Sequence, residues 1–293
     1  MFAFLRPAAN LSLLLFIVSA LLGTGMTLTV RQILEPWRNA RTAIVSFAAS
    51  FLVVPLIAFA VTRLFPMEKP LLTGLILLSL AAGSEALPKI TEMAKGNARY
   101  AVGLMGMQIV VSVICVPFLI AAFLPGVTLD RTKLVMKLIV LVLLPLAAGL
   151  FVNSRSESAA KRIERVLHKI STILLIIVFA LYIAANFEII SSIFRWDTIL
   201  VGGIYSAFAF VAGVLLGGPD RDMRMTLGVG SILRSGSIAM VFASQAFSDP
   251  KVITMIMLVV ILWLPVLPAM VLIFRRVCRD TLLKDSFGSL SRG

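Results

Sequence analysis

Between about residue 9 and residue 275 the chain is a succession of apolar blocks, and no polar stretch between them is long enough to fold as a soluble domain. A helix needs about 20 largely apolar residues to cross the hydrocarbon core of a bilayer. Nine windows qualify: 9–30, 42–65, 70–94, 98–124, 132–153, 168–187, 196–217, 225–247 and 252–275. Composition agrees. The sequence is 60% hydrophobic and only 14% charged, more apolar surface than one water-soluble core can bury. The expected fold class is an all-α membrane protein with about nine transmembrane helices. Residues 1–293 are expected to form a single polytopic domain with membrane lipid around it.

The first window is read as a span rather than a cleaved leader. Its apolar run continues through Ala20, Gly23 and Thr24 into Met26 and Leu28, and Arg6 is the one basic residue ahead of it. The longest polar stretch, Asn153 to Lys169, carries Arg155, Lys161, Arg162, Arg165 and Lys169 and reads as an amphipathic interfacial connector.

The net charge of +13 excludes less than it suggests. No nucleic-acid module is present, and basic residues of membrane proteins collect in cytoplasmic loops. Seventeen Lys and Arg fall on the side holding loops 31–41, 95–99, 155–169, 221–224 and the C-terminal tail, against eight on the other side. The N-terminus is therefore expected outside and the C-terminus in the cytoplasm, with the protein in the plasma (inner) membrane. Cys115 and Cys278 are far apart, no CxxC occurs, and His168 is the single histidine. A disulfide framework, a metal centre and histidine-based catalysis are not expected, and no cofactor is called for.

Two windows carry ionisable groups near their middle. The third holds Gly83-Ser84-Glu85-Ala86-Leu87-Pro88-Lys89, followed by Glu92. The eighth holds Gly228-Val229-Gly230-Ser231-Ile232-Leu233-Arg234-Ser235-Gly236-Ser237. Both combine helix breakers, hydroxyls and a charge. A charge at mid-bilayer costs a few kcal/mol or more, and irregular backbone is tolerated there only inside protein or beside a polar cavity. The two windows lie five spans apart, an odd offset, so an internal repeat would place them in opposite orientations. Paired interrupted helices in opposed halves point to a transporter's binding site. Ser84, Glu85, Pro88, Lys89, Gly230, Ser231, Arg234 and Ser235 are the candidate substrate and ion residues. The plainer reading pairs Lys89 with Glu85 at i,i+4 on an ordinary helix.

The residues that carry a family resemblance are Leu22-Gly23-Thr24-Gly25-Met26-Thr27-Leu28-Thr29, the third window with Ala94-Lys95-Gly96-Asn97 after it, and the eighth through Arg234-Ser235-Gly236-Ser237-Ile238-Ala239. In order and spacing the chain resembles the bile acid:sodium symporter family, in its nine-span form. The resemblance implies inverted repeats, two broken helices crossing in a core domain, a separate panel domain, and alternating access with sodium bound behind the crossover.

The family's sodium ligands map onto poor substitutes. They fall on Ser50, Pro88, Ala101, Met105, Gly230 and Arg234, with an adjoining asparagine on Ser235, so most of the oxygens are absent. The sodium sites are expected to be degenerate, with Lys89 and Arg234 standing in for the sodium charges. Transport of a small organic anion is then expected as uniport, exchange or proton-coupled movement, with Glu85 as the proton carrier. Three other readings stay open. One is a non-transporting sensor or scaffold on the same fold. A second is a proton-coupled broken-helix carrier of another kind. The third is an intramembrane enzyme using Ser84 or Ser235 with Lys89 as base.

Overall fold

The structure is a computed structural model that describes residues 5–65, 67–124, 131–185 and 196–290. Every regular element among them is helical. Arg195, residues 186–187 at the end of the sixth window and residues 291–293 lie outside that description.

Helix α1 (Leu5–Thr27) makes the first crossing. Thr29 then starts the short α2 (Val30–Leu34) with a reciprocal cap: its hydroxyl accepts from the Gln32 amide, and the Gln32 side chain accepts from the Thr29 amide. Asn39 caps α3 (Ala40–Ala48), which runs through a widened π turn (Ala49–Val53) into α4 (Val54–Leu64). The sequence accounts for the widening. Pro55 has no N–H to give, and its ring would clash with the carbonyl four residues back in a regular helix. The pattern recurs in the fifth span, where α8 (Arg131–Leu138) passes through a π turn (Ile139–Leu143) into α9 (Leu144–Arg155), with Pro145 in the equivalent place.

The third window divides. Helix α5 (Lys69–Leu80) stops, residues 81–86 are non-helical, and α6 (Leu87–Met93) resumes for under two turns. At ~1.5 Å per residue α5 is about 18 Å long, enough to pass the middle of a core about 30 Å thick. Gly83 has φ +93, a left-handed conformation that a side chain at this position would strain. Helix α6 ends in a Schellman turn, with the Gly96 amide on the Thr91 carbonyl and the Lys95 amide on the Glu92 carbonyl. Asn97 caps α7 (Ala98–Phe123).

The second half holds α10 (Glu157–Ala185), α11 (Trp196–Leu216), α12 (Arg221–Ile232), α13 (Gly236–Ala246) and α14 (Pro250–Leu290). The stretch from 153 to 169, expected as an amphipathic interfacial connector, is helical apart from Ser156 and lies mostly in α10, because nothing after Ser156 breaks a helix.

Among the described residues, eight helical segments are long and apolar enough to cross a membrane, and α5 adds a shorter apolar helix. The protein is an integral membrane protein. Of the nine expected windows, the third and the eighth are each interrupted, at residues 81–86 and 233–235.

Helix α1 packs on α9 and α10. Gly25 and Gly149 allow this crossing: a Cβ on Gly25 would collide with the Leu146 carbonyl, and one on Gly149 with the Leu22 carbonyl. Elsewhere α5, α13 and α14 pack together, α11 lies against α12 and α14, and α6 contacts α7 and α12. The span formed by α12 and α13 is 94% buried within the protein, whereas that of α10 is 11% buried, so α10 is exposed along most of its apolar length. Lys251 at the start of α14 forms an ion pair with Glu68 at the start of α5, which pins their ends together.

Candidate functional site

The breaks of the third and eighth spans meet. Leu233 leaves α12 with extended backbone, Arg234 follows it outside any helix, and the Ser235 amide donates to the Ala81 carbonyl at 2.8 Å. Ser235 then caps α13, its hydroxyl accepting from the Ile238 amide at 3.3 Å. A second tie holds the cytoplasm-facing ends expected from the charge count: the Asn97 amide donates to Thr226 Oγ1 at 2.8 Å.

Arg234 is fully buried. Its Nη2 donates to two main-chain carbonyls, Ser50 at 2.8 Å and Ser79 at 2.5 Å. Ser50 lies in the π turn before Pro55, and Ser79 in the last turn of α5. Nε and Nη1 find no partner, and Tyr205 Oη and Gln108 Oε1 are likewise buried without one.

A polar strip on α7 completes the surroundings. Gln108 Nε2 donates to Ser50 Oγ at 2.6 Å, and Ser112 Oγ donates to the Ala82 carbonyl at 3.1 Å. The two are four residues apart, so one face of α7 supports both the π turn and the break. On the other side of the crossing, half-buried Glu85 accepts a 2.5 Å hydrogen bond at Oε1 from Ser237 Oγ, and Ser237 is 2.9 Å from Ser235 Oγ.

The sequence candidates therefore separate. Ser50, Glu85, Arg234 and Ser235 converge on the crossing. Ser84 is buried in the turn before α6: its carbonyl accepts from the Leu87 amide and its hydroxyl from the Ala86 amide. Pro88 occupies the first turn of α6. Gly230 is buried facing Leu87, while Ala101 and Met105 are buried apolar positions on α7. Ser231 is buried against Gly213 of α11, its hydroxyl without a partner.

Lys89 does not join them. Its side chain is 75% exposed, and its ion-pair partner is Glu92 at 3.7 Å rather than Glu85. The i,i+4 pair of the plainer reading needs a helix running from 85 to 89, and α6 begins only at Leu87. Lys89 is thus neither a second cation at the crossing nor a base beside Ser84 or Ser235. Gln108, Ser112, Tyr205 and Ser237 were not among the candidates. Gln108 and Ser112 carry a usable signal, because polar side chains four apart in an otherwise apolar span face the protein interior.

Among the described residues no cluster of His, Cys, Asp and Glu could hold a metal ion. The Ser50 and Ser79 carbonyls at the crossing are both bonded to Arg234.

Comparison with known proteins bears on this crossing. The pattern of the "Sodium Bile acid symporter family" matches residues 13–193. The chain is 27% identical over 234 residues to "Probable sodium/metabolite cotransporter BASS1, chloroplastic" of Arabidopsis thaliana, covering 78% of this chain and 58% of that protein. It is 23% identical over 175 residues to "Uncharacterized sodium-dependent transporter YocS" of Bacillus subtilis (strain 168), covering 59% of this chain and 54% of that one. The chain thus spans a little over half the length of these relatives. With more than half of its residues matched, the chain belongs to the sodium bile acid symporter family, a family of transporters and not of enzymes.

Proposed function

We propose that the protein is a secondary transporter that moves a small organic anion across the membrane by alternating access, working as one unit over its whole length. The carrying observation is the Ser235 amide on the Ala81 carbonyl, which joins two interrupted spans at their breaks. Broken helices facing each other at mid-membrane supply main-chain groups for a solute without exposing them to lipid. The order of elements supports an inverted repeat. The series α1, α3–α4, α5–α6, α7 is matched by α10, α11, α12–α13, α14, with the interrupted span third in each. Helices α8 and α9 have no counterpart, so the first half is one span short.

In this reading α3–α7 with α11–α14 form the core, and α1 with α8–α10 form the panel that rocks against it. The exposed α10 and the glycine-mediated α1/α9 crossing favour a panel that moves as a body. An anion is favoured by Arg234 and by the N-terminal end of α13 at the same crossing. The excess of basic residues on one side orients the N-terminus outward and the C-terminus into the cytoplasm of a plasma membrane. Relatives named as sodium/metabolite cotransporters support a metabolite as cargo.

The test is uptake in proteoliposomes across a panel of small carboxylates, each run with sodium, with choline and with a pH gradient. Saturable flux of at least one carboxylate is expected. Specific binding of a carboxylate with no flux under any gradient would replace transport with a sensor role.

A further inference from the structure

We infer that Arg234 is a tethered cation that fills the position of a coupling ion, so that the carrier neither binds nor requires sodium at the crossing. The inference rests on the transporter reading, but its test does not depend on finding the substrate.

The argument begins with two orphaned carbonyls. In the π turn of the second span the Val54 amide returns to the Ala49 carbonyl. The Ser50 carbonyl would next be met by residue 55, and Pro55 has no N–H. At the end of α5 the Ala81 amide bonds the carbonyls of Leu77 and Leu78, and the Ala82 amide bonds that of Leu80. The Ser79 carbonyl is passed over.

Both vacant carbonyls turn to the same guanidinium nitrogen. Ser79 lies at the C-terminal, electronegative end of a half-helix. Transporters of broken-helix design use half-helix C-terminal ends and unwound carbonyls to coordinate their coupling cation. Here those ligands are bonded by Arg234 Nη2 at 2.8 and 2.5 Å.

The site also lacks what a sodium ion would need in addition. No carboxylate pairs with Arg234 among the described residues, and Glu85 is engaged by Ser237 instead. A guanidinium charge with no carboxylate beside it would repel a second cation brought to the same carbonyls. Lys89, exposed and paired with Glu92, leaves Arg234 to do this alone.

The experiment measures binding of radioactive sodium and the thermal midpoint of purified protein in sodium chloride against choline chloride. Wild-type protein is expected to bind no sodium specifically and to show the same midpoint in both salts. In Arg234→Gln the carbonyls lose their cation and the repulsion is gone. This variant is expected to unfold at a lower temperature in choline and to regain part of the difference in sodium. Arg234→Lys keeps a charge there and is expected to remain indifferent to sodium.

Saturable sodium binding by the wild type overturns the inference whether or not any variant folds. A folded Arg234→Gln protein that ignores sodium overturns it as well. Neither result touches the transport reading, which stands or falls on carboxylate flux.

Discussion

The Ser235 amide and the Ala81 carbonyl, 154 positions apart in the sequence, are 2.8 Å apart at the place where both helices carrying them have stopped. One hydrogen bond therefore joins two chain interruptions, and each becomes tolerable because the other is beside it. Ser235→Ala removes the helix cap but keeps this bond, and is expected to destabilise by about 1 kcal/mol. Ser235→Pro removes the amide hydrogen too and is expected to lose on the order of 2 kcal/mol more. Unfolding in detergent measures both. Equal losses would mean that the main-chain bond contributes nothing.

Tyr205 is buried with a hydroxyl that finds no partner. Removing an unsatisfied polar atom should not weaken the fold, so Tyr205→Phe is expected to be neutral or stabilising by up to about 1 kcal/mol. A clear drop in thermal midpoint would show that the hydroxyl is bonded after all.

Glu85 and Ser237 are expected to behave as a pair. Glu85→Gln, Ser237→Ala and the double variant form a cycle whose coupling should be about 1 kcal/mol, favouring the intact pair. Midpoints of the four proteins supply the number, and strict additivity would dissolve the pair. The same Glu85→Gln protein is expected to show flux less dependent on pH, since Glu85 is the half-buried carboxylate at the crossing.

Lys89 should be dispensable. With its side chain 75% exposed and its pair to Glu92 loose at 3.7 Å, Lys89→Ala is expected to change stability by less than about 0.5 kcal/mol. Flux should be retained. Loss of flux in a stable Lys89→Ala protein would return this residue to the mechanism.

Gly149 supports the packing of the first span on the fifth. A Cβ there meets the Leu22 carbonyl and comes within 2.8 Å of the Met26 amide nitrogen, which are backbone atoms and cannot swing aside. Gly149→Val is expected to cost about 1–3 kcal/mol and to lower the yield of folded protein. Gly203, whose Cβ position is open, is the control, and its alanine variant should be unaffected.

The sequence made the spans legible because a bilayer demands long apolar runs, and it marked the two interruptions because glycine, serine and a charge together are rare there. The crossing partners were not legible. Arg234 is held by carbonyls of Ser50 and Ser79, and main-chain acceptors leave no trace in side-chain identity. Whether Glu85 could face Lys89 depended on where helix resumed, and residues 85 and 86 lie outside α6. Had α6 begun at Glu85, the Glu85–Lys89 pair of the plainer reading would have been possible. The role of Pro55 was readable only in part: a proline in a span signals a distortion, but not which carbonyl it leaves vacant or what answers it.

A charge fixed to the chain differs from a dissolved ion in one respect that concerns energy supply. An ion that accompanies the substrate brings its own charge across and can offset that of an anion. Arg234 remains behind when the cargo departs. A full cycle of such a carrier moves only the substrate's charge, and each negative charge entering against an inside-negative potential meets about 2.3 kcal/mol per 100 mV. The same voltage drives that anion outward. Without a co-transported proton or a counter-moving anion, an inside-negative potential biases a carrier whose cation is built in toward export of its anionic substrate.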